Sequence, residues 1–399
     1  LSALSTFPSV AYLAYKTAVN KAIDSIKPGD TFNDDIFKTY SDNFSGIISN
    51  MLSGDKYAAK YSELLLNVNR FAAYKAYHAT QQIARQWADA DGVLRDVKQY
   101  KEAAKRVANK FNRYQVAEYN TATARARTAK QWIDFTSDEI RVELYPNLKW
   151  LPSRSAERRP EHIEFYDIIR PKTDSFWNDN QPGNLWNCKC DWEETDEGTT
   201  DKPKRAASAQ QGLEGNPGET GEIFTKEQVY FKAAPAEAQI PISQAYYPDH
   251  IGKFRINALA DKSEIVDNVA TGRILIAHES NMQLVINPHI SGKSNPEFTI
   301  NGSIADAKRI KGYKGITSGF VKAKEQGCDA VIIDFNKHFD PSRPLNVNKI
   351  TGRLLWRIND FTTEEIKSCY LIFGSRVAVI KRDDMIKNKI VEIIKGLNP

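Results

Sequence analysis

Cysteine is scarce in this 399-residue chain, with only Cys188, Cys190, Cys328 and Cys369. Two of them are separated by a single residue and the other two lie in apolar runs. That excludes a disulfide framework and suits synthesis in a reducing cytoplasm. No stretch of about 18 apolar residues occurs, which excludes a helical membrane span. The opening "LSALSTFPSVAYLAY" has no charged residue ahead of its apolar part, and Lys16 comes after it. It is expected to be a packed segment rather than a signal peptide. An initiator Met is also missing, as expected of a processed or incomplete chain. With 41% apolar and 26% charged residues, the composition is that of a soluble globular protein of two or three domains.

Charge is unevenly distributed. Residues 251–399 hold 23 Lys and Arg against 16 Asp and Glu, about +7, which leaves residues 1–250 near −2. A basic C-terminal region is compatible with a polyanionic partner.

Residues 1–140 have helical periodicity. Leu64, Val68 and Phe71 begin one amphipathic pattern, and Gly92 in "DADG" is its natural stop. Val93, Val97, Tyr100, Ala104, Val107, Phe111 and Tyr114 then repeat at a 3.5-residue period, the pattern of helices packing along a seam. An internal helical hairpin is favoured over an intermolecular coiled coil. Residues 141–193 lose the period. Trp150, Trp177, Trp186, Trp192 and five prolines predict a compact, irregular, aromatic-packed segment. Residues 194–249 read as a linker and connecting segment, rich in Gly, Pro, Ser, Thr and charge, with order returning at "EIFTKEQVYF". From 250 to 399 strands ("QLVINP", "EFTI", "SIADAK", "DAVIIDF", "RVAVIKR") alternate with helices ("SEIVDNVATGRILIAH", "GITSGFVKAKEQG", "MIKNKIVEIIKG"). That predicts an α/β domain with a mixed sheet.

Cys188 and Cys190 are too close in sequence for an unstrained disulfide, but both thiolates can face one metal. His162 is the one histidine between 79 and 249. A structural zinc site at His162, Cys188 and Cys190 would need a fourth ligand, for which Asp191 and Asp167 are candidates. The alternative is a pair of small apolar residues in a Trp-lined core, with His162 hydrogen-bonded. The segment "LPSRSAERRPEH…DSFWNDNQPGNLWNCKC" resembles the signature of Mu F-type phage minor head proteins, the head-morphogenesis family. Arg154, Arg158, His162, Phe176, Trp177, Pro182, Gly183, Asn187, Cys188 and Cys190 carry the likeness, and Lys189 stands where Arg is usual. The resemblance implies a virion component made in the bacterial cytoplasm and located in the head near the portal, with portal and capsid proteins as partners. Because His and both Cys recur in the motif, it also strengthens the metal reading.

Asn301-Gly302 is among the strongest two-residue hairpin signals. It would set "EFTI" beside "SIADAK" and pair position 297 with 306, so that Glu297 and Asp306 become neighbours on one face. Lys308 shares that face. Two adjacent carboxylates repel unless a cation lies between them, and Mg²⁺ needs few protein oxygens. The order Pro296-Glu297…Asp306-Ala307-Lys308 resembles PD-(D/E)xK nucleases, and residues 255–385 resemble the tRNase domains of contact-dependent growth-inhibition toxins. Glu297 stands where Asp is usual. The resemblance implies a further acid from a preceding helix, Glu264 or Asp267, and a role for Gln326 on the following helix.

The chain is therefore expected to be a minor head protein carrying a Mg²⁺-dependent nuclease domain, acting on RNA (tRNA included) or on phage DNA, with an immunity protein as a partner. Two alternatives stay open. One is a purely structural protein with an inactive nucleic-acid-binding domain. The other is a metal-independent RNase using His278, His289 or His338 as acid or base. Lys311, Lys314, Lys322 and Lys324 either bind phosphates or form a solvated helix face.

Overall fold

The computed structural model describes residues 9–153, 155–156, 158–203, 209–249 and 251–398. The N-terminal expectation over residues 1–8, the motif residue Arg154 and part of the 194–249 segment lie outside them. The chain divides into two compact units, one ending at Ala245 and the other beginning at Tyr246.

The first unit is built on four helices, α1 (Ser9–Ala22), α2 (Asp34–Met51), α3 (Ala58–Ala84) and α4 (Val97–Thr136). Local chemistry sets their starts. Asn33 accepts from the Ile36 amide at the head of α2, and Asp34 and Asp35 suit the positive end of the helix dipole. Asp96 and Gln99 form a capping box on α4, and Gly92, at φ +80°, lies in the turn before it. The buried stripe of α4 runs Tyr100, Ala104, Ala108, Phe111, Gln115, Glu118, Ala122, Arg125, Ala129 and Trp132. This corrects the expected seam. Val93, Val97 and Tyr114 are at least half exposed, and burial passes to Ala108 and Gln115. The displacement has a polar cause. Fully buried Lys75 of α3 donates to Gln115 Oε1 at 2.6 Å and to Glu118, and lies 4.5 Å from the Tyr40 ring. A seam scored on apolar residues cannot register such a pair.

After α4, the irregular Trp-rich segment contains a small antiparallel sheet in the order β2-β1-β3: β1 (Asn147–Leu151), β2 (Ile169–Pro171) and β3 (Asp191–Thr195). Trp132, Trp150, Trp177, Trp192, Phe165 and Phe176 form its core.

The expected linker is corrected over 209–245, which is packed into the first unit. The guanidinium of fully buried Arg125 donates to five carbonyls: Leu213 and Ile223 at 2.7 Å, Gly215 at 3.0 Å, Glu214 at 3.1 Å and Glu222 at 3.2 Å. Asn67 bonds the backbone of Ile223 and Phe224, and Phe224 stacks on Phe71 with ring centroids 3.9 Å apart. Gly218 lies so close to Trp132 that a Cβ would meet it at 2.6 Å. The Gly- and Pro-rich composition reflects close approach to helices rather than freedom.

The second unit is one eight-stranded mixed sheet in the order β11-β10-β9-β8-β7-β6-β5-β4. Its strands are β4 (Tyr246–Pro248), β5 (Arg255–Asn257), β6 (Leu284–Ile286), β7 (Phe298–Ile300), β8 (Ser303–Arg309), β9 (Ala330–Asp334), β10 (Ser368–Phe373) and β11 (Arg376–Lys381). β5/β6, β8/β9 and β9/β10 are parallel, and the remaining pairs antiparallel. The interior strands β9 and β10 are buried at every residue, as strands covered on both faces must be. Helices Lys314–Glu325, Val347–Leu355 and Lys387–Lys395 supply Ile316, Phe320, Ile350, Leu354, Ile390 and Ile394 to the core. Lys314–Glu325 crosses the sheet at Gly319, where a Cβ would lie 2.8 Å from Ile333 and 3.4 Å from the Lys308 stem.

Arg125→Met should destabilise the first unit by at least about 3 kcal/mol, since several buried carbonyls lose a charged donor. It should also speed limited proteolysis within 209–228 of the full chain. Unchanged melting and unchanged cleavage would show that the segment is held by other contacts.

Candidate functional site

The hairpin between β7 and β8 turns at Asn301 and Gly302, with φ of +49° and +85°, the all-positive geometry of a type I′ turn. Asn301 is also fastened to the end of β6. Its amide donates to Gln283 O, and its side chain accepts from Gln283 N, both at 2.8 Å. The resulting register pairs Phe298 with Ala305 and Ile300 with Ser303, which sets Glu297 opposite Asp306. Glu297 accepts from the Ala307 amide at 2.9 Å. Asp306 is fully buried, with Lys308 Nζ 2.9 Å from Oδ1 and 2.7 Å from Oδ2. Glu297, Asp306 and Lys308 thus converge.

The electrostatics are those of an undercompensated pair. Burial, then the hydrogen bond and repulsion from Asp306, push the Glu297 carboxyl up to about 8, against the Ala307 amide and Lys308. At neutral pH one proton and one ammonium balance two carboxylates. A divalent cation would supply the same compensation, and two neighbouring carboxylates are the kind of oxygen donors that Mg²⁺ takes.

Glu297 lines a cleft of about 130 Å³ with Asp261, Glu264, Asn268, Asn287 and His289. Asn287 shapes the rim, donating to Pro296 O and accepting from Thr299. The sequence-predicted Glu264 is therefore in the cleft, although its carboxylate, Glu297 and Asp306 do not all lie within 4.8 Å of one another. Asp267 is instead paired with Lys337 at 2.6 Å and Arg309 at 3.7 Å. Gln326 caps the end of the Lys314–Glu325 helix and does not line the cleft. His289, which the sequence offered only beside His278 and His338, faces the cleft with Nδ1 3.5 Å from Asp261 Oδ2. Its position after Pro288, in a loop leading to the hairpin, was the available signal.

In the first unit, His162 Nδ1 lies 3.6 Å from Cys188 Sγ and 3.4 Å from Cys190 Sγ. All three residues are buried, and among the described residues they form the one such His/Cys/Asp/Glu group. Ordinary zinc–nitrogen and zinc–sulfur bonds at tetrahedral angles put N and S about 3.6 Å apart. The His162 Nε2 edge contacts Asn184 Oδ1 at 2.9 Å. Donation to that amide oxygen leaves the Nδ1 lone pair facing the sulfurs, the usual outer-sphere arrangement of a metal-binding imidazole. The Cys188 thiol is pulled down by the hydrogen bond from Cys190 and by His162, while Cys190 is pushed up by Cys188 and by burial. Neither proposed fourth ligand joins the group. Asp191 accepts from Gln131 and pairs with Arg127, and Asp167 occupies a turn at φ +62°.

Pro182, Gly183, Asn187 and Trp177 of the motif have structural partners. Thr128 donates to Pro182 O, and Gly183 packs on Arg125, where a Cβ would approach to 3.0 Å. Asn187 N donates to Thr121, and Trp177 donates to Pro171 O.

No family model matches the chain. A 72-residue stretch is 29% identical to the putative capsid assembly protein F of Escherichia phage Mu, spanning 18% of this chain and 16% of that protein. A solved CdiA-CT/CdiI toxin and immunity complex from Burkholderia pseudomallei aligns over 31% of this chain and 90% of that one, at 17% identity and a TM-score of 0.23. A likeness of that size carries no functional argument. No helix among the described residues is long and apolar enough to cross a membrane.

Folded Glu297 keeps its proton to about pH 8, whereas the unfolded residue releases it near 4.5. Folding therefore takes up protons between these values, and stability falls as pH rises through that window. Glu297→Gln should remove this component, so that the full-length wild type loses more melting temperature between pH 5 and pH 9 than the variant does. Parallel pH profiles would refute the shared-proton description.

Proposed function

We propose that the chain is a phage head component whose C-terminal unit hydrolyses phosphodiester bonds, preferentially in RNA. The observation that carries the enzymatic part is the pairing of half-buried Glu297 with fully buried Asp306, with Lys308 against it. Structural packing alone has no need of two neighbouring carboxylates that must share a proton. When bound, Mg²⁺ would supply charge neutralisation on the phosphate and acidify water. Glu297 and Asp306 would hold the cation. Lys308 pairs with Asp306 and would offer its ammonium to the negative charge that develops on the phosphate. Glu264 and Asn268 line the approach. The head-component part is supported by the stretch shared with the phage Mu capsid assembly protein and by the His–Trp–Cys motif. On this reading the protein sits in the virion head beside portal and capsid proteins, and an immunity protein restrains the nuclease in the producing cell.

His289 beside Asp261 supports a second reading, metal-independent RNA cleavage with His289 as acid or base. Metal dependence separates the two. Full-length protein should cut labelled RNA with Mg²⁺, stop in EDTA, and lose about 100-fold or more in rate on Lys308→Ala or Asp306→Asn. Cleavage that persists in EDTA and falls with His289→Ala would establish the second reading. Equal rates from wild type and Lys308→Ala in Mg²⁺ would remove the first. For the virion assignment, the chain should be detected by mass spectrometry in purified heads of the phage that encodes it, and its absence would overturn that assignment.

We also assign a structural Zn²⁺ to His162, Cys188 and Cys190, tying the strand-poor Trp segment together. Elemental analysis should find one zinc per chain, lost in Cys188→Ser with a lower melting temperature of the first unit. Metal-free protein with wild-type stability would rule the site out.

A further inference from the structure

A second cleft in the C-terminal unit, of about 600 Å³, is lined by Tyr313, Lys314, Asn348, Lys349, Gly352, Arg353 and Trp356. Its composition is unusual in two respects. Three of the seven residues are cationic and none is acidic. Among the described residues, none of these three cations is ion-paired. In addition, Trp356 is 71% exposed, although Trp is highly buried on average in folded proteins.

The Val347–Leu355 helix creates the arrangement. Ile350, Thr351 and Leu354 face the core. Lys349, Arg353 and Trp356, at helical spacings of four and three, therefore fall on the outward stripe, with Gly352 beside them. No atom lies within 4 Å of where a Cβ on Gly352 would be, so the space there is open. Tyr313 forms the other wall. It is held by Phe339 at 5.4 Å between ring centroids and by the Asn346 amide, which donates to its hydroxyl at 2.8 Å. Each aromatic ring has a cation beside it: Lys349 Nζ is 5.8 Å from the Tyr313 ring, and the Arg353 guanidinium is 5.7 Å from that of Trp356.

We infer that this cleft is a docking site for single-stranded nucleic acid. Unpaired bases stack on Trp356 and Tyr313, and Lys314, Lys349 and Arg353 take the adjoining phosphates. An exposed ring, Trp356, and a half-buried one, Tyr313, alternating with unpaired cations are the chemistry of strand binding without duplex readout. An acidic polypeptide would satisfy the cations but leave the rings with nothing to stack on. A duplex, with its bases already stacked, could not use them either. The choice of ligand rests on the reading of this unit as acting on nucleic acid, but the site itself shares no lining residue with the Glu297 cleft.

The test is binding by full-length protein in EDTA, so that the result is independent of metal-dependent cleavage. Fluorescence anisotropy is read with labelled 12-residue oligo(U), oligo(dT) and a 12-base-pair duplex. Single strands should bind more tightly than the duplex, and Trp356→Ala should weaken them by roughly tenfold or more. Trp356→Phe should keep most of the affinity, and Lys349→Ala should reduce the salt dependence by about 0.7 in the log–log slope. Melting temperature checks that Trp356→Ala is folded. Trp356-dependent binding of either strand supports the site, and the tighter one identifies whether RNA or DNA is preferred. The proposal is overturned if Trp356→Ala binds as the wild type does, if duplex binds as well as single strand, or if polyglutamate competes as effectively per charge as oligo(U).

Discussion

The candidate catalytic chemistry depends on a single backbone constraint, the positive φ angles at Asn301 and Gly302. With two residues in the turn, the facing positions sum to a constant, and Glu297 must meet Asp306. A slip of one residue would move one carboxylate to the opposite face. The sheet guards against the slip from outside the hairpin, because both backbone bonds of Gln283 are taken by Asn301. β8 is then fixed on its other side by five parallel pairings with β9. The two acids are therefore set opposite each other by sheet geometry, and burial, followed by the hydrogen bond and repulsion from Asp306, holds the Glu297 carboxyl up.

Buried charge occurs throughout the protein, and the manner of its compensation separates scaffold from site. Lys75 has Gln115, Glu118 and the Tyr40 face. Lys172 has Glu194 at 2.6 Å and the Phe135 carbonyl at 2.8 Å, and Glu194 also takes Arg141. Arg125 has five carbonyls. Each of these groups finds partners of the opposite polarity, so each can specify packing without chemistry. Glu297 and Asp306 differ because two like charges meet a single ammonium. Protein interiors do not retain such an imbalance without a proton or a cation to offset it, and the same imbalance makes the site responsive to both.

Much of this was legible from the sequence. Period-2 and apolar runs marked β6 to β9 and β11, and Asn-Gly specified a register that holds to the residue. The omissions have physical causes. β10, "SCYLIF", is buried at all six positions and so has no alternation to detect. The Val347–Leu355 helix is short, with only four apolar residues, and carries its significance on the polar side. The 209–245 stretch looked like a linker because its contacts are made by backbone carbonyls and glycines, which composition scores as freedom. Arg125 and Asn67, the residues that hold it, lie between 88 and 157 positions away in sequence. Gln326 was attached to the site by analogy of order alone, and the helix ends before its side chain can line the cleft. His289 shows the reverse: a loop residue whose role follows only once β6 and the hairpin are seen to bring its loop to Glu297.

The boundary at Ala245 and Tyr246 sharpens the meaning of charge. Residues 246–399 hold 23 basic against 17 acidic residues, yet the sites do not share that excess equally. Around Glu297 the lining is acidic, with Asp261 and Glu264, and a bare phosphate backbone would be repelled there unless a cation intervened. The surplus positive charge that can act on a polyanion at a distance lies elsewhere, on residues such as Lys314, Lys349 and Arg353 that have no carboxylate to neutralise them. On the proposed reading, a nucleic acid approaching this unit would be attracted by one surface and admitted to the acidic cleft only with a metal ion present. Such a division would keep the carboxylates from binding substrate indiscriminately while leaving capture to groups that need no metal.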